Sequence, residues 1–399
     1  MNPASGSPLA RDPDFLRLWL VGLMISLVRW LEMLAVSLFV YDRTGSPLLV
    51  SMMVMLRVLP MGLFGAFLGA LAERLELFRA LIGILCVSVA TSAVLAVLTS
   101  AGLLEVWHLA LSSFVSGVAW AADSPVRRML IGQVAGPSRM ARAMSADVGS
   151  NNASRMVGPG LSGVLFALLG VQGAFLAGIG FYLVALVAAV TLRARSGVAA
   201  APETGVAARI AVGLAAVRAD PRLTGTMVVT IIFNVFGWPF TSLVPVIAQD
   251  HLGLGPSAIG LLSSMDGIGA LVGVFVIAAW VRPADYRRCF MSGVVVYLVM
   301  LTVFVLVPHP ALAGAALVVT GAGQAGFSIM QATLIYLSSP PGLRSRVLGL
   351  QSVCIGLGPI GFVNVGLMAN MFGAQTAGVV TGIEGLLALF LTRKLWSRI

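Results

Sequence analysis

Residues 80–101 read ALIGILCVSVATSAVLAVLTSA, an apolar run of 22 positions that contains no charged side chain. About 20 apolar residues in a helix are enough to cross the hydrocarbon core of a bilayer. Only a helix or a closed barrel satisfies its own backbone hydrogen bonds in lipid, because no water is available there. The stretch therefore predicts a membrane-spanning helix.

Eleven further stretches of the same kind cover almost all of the remaining chain. The twelve predicted spans are residues 18–40, 48–72, 80–101, 107–126, 145–168, 172–192, 223–248, 256–281, 289–307, 311–338, 347–370 and 374–392. The composition agrees, since 59% of the residues are hydrophobic and 10% are charged. The 45 glycines suit the close approach of helices in lipid. The sequence predicts an all-α polytopic membrane protein with 12 transmembrane helices.

The basic residues indicate which side of the membrane each loop occupies. When both termini and the even-numbered loops are placed in the cytoplasm, the loops on the opposite side carry only Arg43 out of 25 Lys and Arg residues. This asymmetry follows the positive-inside rule. We therefore predict a bacterial inner-membrane protein with both termini in the cytoplasm. Anionic lipid headgroups are a sufficient partner for the net charge of +10, so no nucleic acid is required.

The longest polar interruption, residues 193–222, follows the sixth span. Within it, apolar residues recur at helical spacing over 206–218, which predicts a short amphipathic helix on the inner membrane surface. The chain then divides into an N-terminal six-helix bundle at 1–192, this cytoplasmic linker, and a C-terminal six-helix bundle at 223–399.

The two predicted bundles repeat each other. A shift of 208 residues places Asp42 on Asp250, Gly45 on Gly253, Gly65 on Gly273 and Arg74 on Arg282. After the fourth span the shift is 200, which places Gly158-Pro159 on Gly358-Pro359. Agreement of several pairs on one shift indicates internal duplication. Duplicated halves with a site at their interface near mid-membrane are typical of alternating-access transporters.

Two motifs carry a resemblance to a known family, one in the loop between spans two and three and one in span five. Their residues are Gly65, Gly69, Glu73, Arg74 and Arg79, then Gly158, Pro159 and Gly163. With six plus six spans, they make the chain similar to the major facilitator superfamily. The span-five motif resembles the signature associated with exporters of that superfamily. The Arg-Trp-Leu-Glu run at 29–32 and the Pro-containing start of the loop between spans four and five resemble its drug and siderophore exporter branch, which includes macrolide-efflux and enterobactin-export proteins. The resemblance implies two pseudo-symmetric bundles, with the first motif acting as a cytoplasmic latch.

Seven charged side chains fall well inside predicted spans. They are Arg29, Glu32, Arg57, Asp123, Arg155, Asp266 and Glu384. Each costs roughly 2.5–3.5 kcal/mol at the centre of a helix, so it must pair or face a watery cavity. The resemblance implies that spans one, two, four, five and eight line or flank a central cavity, whereas spans three, six and nine face lipid. Glu384, in span twelve, lies outside this pattern.

Arg29 and Glu32 are three positions apart, so they share a helix face and can pair with each other. Arg57 is expected to approach from span two. One interpretation is a fixed salt bridge that holds the first bundle together. The other is that Glu32 exchanges its Arg partner for a proton or for substrate as the cavity opens and closes.

The remaining charges also have two interpretations each. Asp123 could cap the turn that follows it, or pair with Arg127 or Arg155. Asp266 could couple transport to protons, or pair across to span five or eleven. Arg155 could serve the latch or an anionic group of the substrate. The predicted charge relay consists of Glu32, Arg29, Arg57, Asp123, Asp266 and Arg155.

The rest of the predicted substrate cavity is amphipathic. Its residues are Trp30, Trp120, Asn234, Trp238, Gln324, Gln331 and Gln351. For the tryptophans, interfacial anchoring or packing is the alternative. Apolar walls with a few amides suit a bulky, partly apolar organic solute better than a small ion or a sugar.

These patterns predict a secondary active transporter, a proton-coupled exporter of an amphipathic small organic molecule. The alternatives are a facilitated-diffusion carrier, an importer and a lipid-handling protein that reuses the fold.

The sequence has no His-Glu-x-x-His, nucleophile elbow or phosphate-binding Gly loop, so we predict neither an enzyme nor a cofactor. Cys86, Cys289 and Cys354 lack metal-ligand spacing, so no metal site is predicted. We expect a monomer that draws on the proton gradient.

Overall fold

The computed structural model describes residues 9–72, 76–192, 206–397 and 399, and these residues are almost entirely helical. In the first half, α1 is Pro13–Thr44, α2 is Pro47–Ala72 and α3 is Leu77–Ser100. The helical stretch Val106–Val190 turns sharply at Gly136 (φ 68°) and at Gly170 (φ 63°). A positive φ is accessible to glycine at no steric cost. We therefore divide this stretch into α4 (106–135), α5 (137–169) and α6 (171–190).

The second half begins after the surface helix Val206–Ala219, which lies within the predicted linker. Its helices are α7 (Pro221–Asp250), α8 (Pro256–Trp280), α9 (Tyr286–Leu306), α10 (Pro310–Ser338), α11 (344–372) and α12 (Ala374–Leu391). Two of them are interrupted: α7 by a π turn and a 3-10 turn at Phe233–Gly237 and Trp238–Ser242, and α11 between Arg344–Ile355 and Gly358–Phe372. Short helical turns occur at Leu9–Arg11, Pro283–Asp285, Pro341–Leu343 and Arg393–Trp396.

Ten helical stretches of the described chain are long and apolar enough to cross a membrane. One of them, Ser138–Val190, contains the turn at Gly170 and supplies both α5 and α6. The remaining helix is α4, which carries Asp123 and Arg127 in its interior. The prediction of twelve spans is therefore confirmed.

Helices α4 and α5 extend beyond the predicted end of span four at 126 and the predicted start of span five at 145. Both helices continue through this segment and meet at Gly136. The sequence suggested a loop because Arg127 and Arg128 come four and five residues after Asp123, just beyond Ser124-Pro125. In the structure Arg127 is buried and paired inside the first bundle, so it does not end the helix.

The helices form two bundles, and each has an apolar core built mainly from its own helices. Leu81 and Ala185 belong to the core of the first, and Phe290 and Phe304 to the core of the second. Because lipid tails are as apolar as these side chains, tight packing holds membrane helices together. The exact boundaries of the two bundles at 192 and 222 stay a prediction, because residues 193–205 lie outside the described chain.

The bundles contact each other most extensively through two helix pairs, α5 with α8 and α2 with α11. A methyl group added to Gly163 of α5 would lie 2.8 Å from Cα of Gly260 in α8. One added to Gly356 of α11 would lie 2.4 Å from Cα of Gly62 in α2. Small residues thus let the backbones of the two halves meet. We call the end where α6 finishes and α7 begins the linker end, and the opposite end the far end.

Candidate functional site

A cavity lies between the two bundles, near the middle of the helices. Trp30, Arg155 and Pro159 of the first half line it, together with Asp266 and Tyr297 of the second. Its apolar wall consists of Met33, Leu34, Val54, Val244, Leu301 and Leu317, among others. It has about 70 Å³ of room for water-sized molecules, and one water needs about 10–15 Å³ on that scale. In this conformation the site can hold a few waters or a small part of a ligand.

Arg155 and Asp266 form an ion pair that joins the two bundles across this cavity. Nη2 of Arg155 on α5 donates to Oδ2 of Asp266 on α8, and both side chains are largely buried. The guanidinium also lies 5.4 Å from the ring centre of Trp30 on α1, within the range of a cation–π contact. The prediction that Asp266 pairs across to span five is therefore confirmed for this conformation.

Glu32 occupies a different place, inside the first bundle. Its Oε1 accepts a hydrogen bond of 2.8 Å from Ser92 Oγ on α3, and its Oε2 accepts one of 3.2 Å from Arg57 Nη2 on α2. A methyl group on Gly178 of α6 would lie 2.9 Å from Oε1. The carboxylate is thus enclosed by three neighbouring helices of its own half and does not line the central cavity.

Arg29 pairs with Asp123 on α4, at 3.8 Å, and the expected pair of Arg29 with Glu32 does not form. The two residues lie about 60° apart around the helix axis, because each residue turns the helix by 100°. That angle directs one towards α4 and the other towards α2 and α3. Arg127 Nε also donates to Asp123 Oδ1, at 3.2 Å, which confirms one of the two partners considered for Asp123.

This network extends to a residue that the sequence analysis missed. Arg127 also donates to Asp147 of α5, and a methyl group on Gly22 of α1 would lie 2.4 Å from Arg127 Nη1. The buried charges thus tie α1, α4 and α5 together near the linker end. Asp147 was overlooked because it falls at the edge of a predicted span, where a charge needs no partner.

The predicted cavity residues divide between several places. Trp30 and Trp238 line the central cavity. Trp120 instead lies under Arg29, whose Cζ is 4.5 Å from the ring centre, beside a small pocket inside the first bundle. Trp120 therefore does not line the central cavity in this conformation, because its helix face points into its own bundle, and its part in a substrate cavity stays a prediction.

The predicted amides of the second half do not line the central cavity either. Gln331 Nε2 donates to Thr230 Oγ1 at 2.7 Å, and Asn234 Nδ2 donates to the Thr230 carbonyl oxygen at 2.8 Å. Both therefore serve a buried network between α7 and α10. Gln324 and Gln351 are half-buried on α10 and α11, outside the lining of the cavity.

The glycine motif of α5 lies at the contacts of that helix with other helices. A methyl group on Gly158 would lie 2.7 Å from Trp30 Cβ on α1, and Gly163 meets Gly260 of α8. Pro159 borders the cavity. The motif thus lets α5 pack against one helix of each half while its proline faces the central space.

The motif between α2 and α3 is only partly described. Gly65 and Gly69 lie in α2, and a methyl group on Gly65 would be 3.9 Å from its nearest neighbour, Met61 Cγ. Glu73 and Arg74 lie outside the described residues. Arg79 of α3 is exposed and pairs at 2.9 Å with Glu76, the residue at the N-cap of the same helix. The latch therefore stays a prediction.

Glu384 of α12 has a partner that the sequence did not suggest. Asn364 Nδ2 on α11 donates to its Oε2 at 3.3 Å. The pair lies within the second bundle and outside the lining of the central cavity. It gives the isolated charge of span twelve a local role between two adjacent helices.

Helices α3, α6 and α9 were expected to face lipid, yet each sends one polar side chain inwards. Ser92 contacts Glu32, while Tyr182 lines the small pocket beside Arg29. Tyr297 is fully buried and reaches the central cavity. These residues were missed because the search followed charge. The signal available was the single Tyr in each of spans six and nine and the Ser and Thr residues of span three.

At the far end, four side chains join the bundles in a pattern that follows the internal repeat. Tyr41 of α1 donates to Asp250 of α7, and Gln249 of α7 donates to Asp42 of α1 at 2.9 Å. The shift of 208 residues places Tyr41 on Gln249 and Asp42 on Asp250. The contact is therefore self-complementary, as at a two-fold interface. We call these four residues the far-end clasp.

Further contacts on the same side support the clasp. Ser46 donates to Asn370 at 3.1 Å, and Ser51 Oγ donates to the carbonyl oxygen of Phe362 at 2.6 Å. Both join the start of α2 to α11. The two bundles are thus held together on the far side of the central cavity.

The Major Facilitator Superfamily model matches residues 18–363 of the chain. Macrolide efflux protein A of Streptococcus pyogenes is 21% identical over 383 residues, covering 92% of each chain. Multidrug efflux pump Tap of Mycolicibacterium fortuitum is 25% identical over 372 residues, covering 89% of this chain and 90% of Tap.

Solved structures share the fold at low identity. A mutant of the nucleoside transporter NupG superposes with a TM-score of 0.81 at 13% identity, covering 96% of this chain and 100% of that one. A bacterial homologue of the iron transporter ferroportin, in an inward-facing state, gives 0.73 at 17% identity, covering 98% and 100%. At such identities the likeness concerns the fold alone.

Proposed function

The chain belongs to the major facilitator superfamily, and we propose that this transporter exports amphipathic small organic molecules in exchange for protons. The relatives named as efflux proteins support export, and the mixed apolar and polar lining of the central cavity supports an amphipathic solute. Its role is transport rather than catalysis. We further propose that it lies in the bacterial inner membrane as a monomer, with both termini in the cytoplasm.

The observation that carries the proposal is the ion pair between Arg155 and Asp266, since its members belong to different bundles and border the cavity. Alternating access proceeds by rocking of two such bundles around a central site. When the far end opens, α5 and α8 separate there and the pair must break. Each transport cycle then makes and breaks this ion pair.

The same contact provides a route for proton coupling. A carboxylate beside a guanidinium keeps its negative charge, whereas one left alone in an apolar cavity favours the protonated form. Asp266 would therefore take a proton from the far side when the bundles separate. Closing the far end brings Arg155 back, and the proton leaves towards the linker end. With the linker end in the cytoplasm, protons move inwards while solute moves outwards.

Glu32 is the alternative proton carrier suggested by the sequence. Its carboxylate is enclosed by Arg57 and Ser92 within one bundle. Rocking of the two bundles does not by itself separate it from these partners. We therefore assign coupling to Asp266 and a structural role to Glu32.

The test is transport by the purified protein in proteoliposomes with an imposed pH gradient. A panel comprising a macrolide, a siderophore and neutral steroids would be offered at equal concentration on both sides. Uphill accumulation that collapses with a protonophore supports proton-coupled transport, and reporter fusions at 193–222 and at 101–105 establish its direction. Equilibration without accumulation would instead indicate facilitated diffusion. Accumulation towards the linker side would indicate an importer.

A further inference from the structure

The central cavity contains more hydrogen-bonding atoms than the protein itself satisfies. Within the described residues, five buried atoms on its lining have no partner: Trp30 Nε1, Arg155 Nε, Ser263 Oγ, Asp266 Oδ1 and Tyr297 Oη. Buried polar atoms are nearly always paired, because an unpaired one loses its hydration without compensation. A concentration of such atoms on the lining of one cavity indicates that a ligand or its water is the missing partner.

The chemical types of these atoms restrict the ligand. Trp30 Nε1 and Arg155 Nε can only donate, and the free oxygen of ionised Asp266 can only accept. Ser263 and Tyr297 can do either. The ligand must therefore offer at least two acceptor oxygens and at least one donor, such as a hydroxyl group.

The charge of the cavity restricts the chemistry of the ligand further. Arg155 and Asp266 neutralise each other, and no other charged side chain lines the described cavity. An organic cation or anion would bring a net charge into this apolar space without a free counter-charge, which is unfavourable. A neutral solute avoids that cost and leaves the bridge between the bundles intact.

We infer that the solute is a neutral, oxygen-rich amphiphile with a hydroxyl group, as opposed to a lipophilic cation or an organic anion. When the linker end opens and the cavity widens, the hydrocarbon frame of the solute packs against the apolar wall formed by Met33, Leu34 and Leu317. Its acceptor oxygens take hydrogen bonds from Trp30 and Arg155, and its hydroxyl donates to Asp266. This inference rests on the proposed function and specifies the solute of that same cavity.

The test is equilibrium binding to the full-length protein in lipid nanodiscs, with empty nanodiscs as the blank. Four radiolabelled probes are compared: hydrocortisone, which is neutral with hydroxyl and carbonyl groups; progesterone, which has the same frame without hydroxyls; hydrocortisone hemisuccinate, an anion; and tetraphenylphosphonium, a lipophilic cation. We expect hydrocortisone to bind about tenfold more tightly than each of the other probes. Losing a hydrogen bond, or burying a charge without a partner, weakens binding by roughly that factor.

The matched variants are Trp30→Phe and Trp107→Phe. The first removes one donor of the cavity while keeping an aromatic ring, and we expect it to weaken hydrocortisone binding about fivefold. The second makes the same change at an exposed residue outside the cavity and should leave binding unchanged. Equal or tighter binding of either charged probe, no binding of hydrocortisone, or equal affinity in Trp30→Phe would each overturn the inference.

Binding and transport can fail separately. Uphill export of tetraphenylphosphonium without hydrocortisone binding would support the exporter and overturn the solute class. Hydrocortisone binding that depends on Trp30, without uphill transport of any compound, would support the solute class and overturn the exporter.

Discussion

Two of the enclosed arginine–carboxylate pairs, Arg57–Glu32 and Arg155–Asp266, have the same chemistry and different positions. The first joins α1 to α2 within one bundle, and the second joins α5 to α8 between bundles. Both compensate the cost of a charge in lipid. Only the second must break when the bundles move apart. The role of a buried ion pair in a transporter is therefore decided by which moving parts it connects.

The largest effect is expected from removing the charge of the second pair. Asp266→Asn should abolish uphill accumulation, reducing it by about 100-fold or more, since a neutral amide cannot carry a proton through the cycle. Downhill exchange should persist. The measurement is accumulation in proteoliposomes with and without a pH gradient. The matched control is Glu384→Gln, which neutralises an intramembrane carboxylate that does not line the cavity. Normal uphill transport by Asp266→Asn would remove the coupling role from this pair.

The next effect concerns the contact that allows α5 and α8 to meet beside the second pair. In Gly163→Ala the new methyl group would lie 2.8 Å from Cα of Gly260, so the far end cannot close fully. Overpacking of this kind costs roughly 1–3 kcal/mol, and we expect about a tenfold slower transport rate. Gly180→Ala in α6, where the new methyl group would enter open space with no atom within 4 Å, should transport at the normal rate. Equal rates in both variants would contradict the importance of this contact.

A smaller effect is expected from the far-end clasp, which lies between the same two bundles. Tyr41→Phe removes one hydrogen bond to Asp250. It should therefore raise the ratio of far-end-open to far-end-closed molecules about fivefold. Spin labels at Arg43 and His251 would report this as a longer distance. Tyr336→Phe makes the same change in a contact with Arg344 within one half, and should leave the distance distribution as it was. A reversed or absent shift would argue against the clasp.

The smallest effect on transport is expected from the first pair. Glu32→Gln should keep at least half of the uphill transport per folded molecule, while it lowers thermal stability. Breaking a buried ion pair costs about 3–5 kcal/mol, because Arg57 is left with an uncompensated charge. The apparent melting temperature should fall, and adding Arg57→Gln should recover part of the loss. Lost uphill transport with unchanged stability would return proton coupling to Glu32, as the sequence first suggested.

The sequence by itself determined the number of helices, their repeat, and the presence of charged side chains whose burial in the membrane is costly. Hydropathy is a local property, and a span must be apolar whichever neighbours it has. The repeat also predicted which positions correspond, and Asp42 and Asp250 do take part in the same clasp.

Only the tertiary structure decided which charges meet. Sequence spacing places Arg29 and Glu32 on one broad face of α1, but their true partners, Asp123 and Arg57, lie on other helices. The contact of Arg155 with Asp266 spans 111 positions of the chain. Pairings of this kind depend on how helices rotate and approach one another, and those quantities are fixed by packing between helices instead of by the periodicity within one.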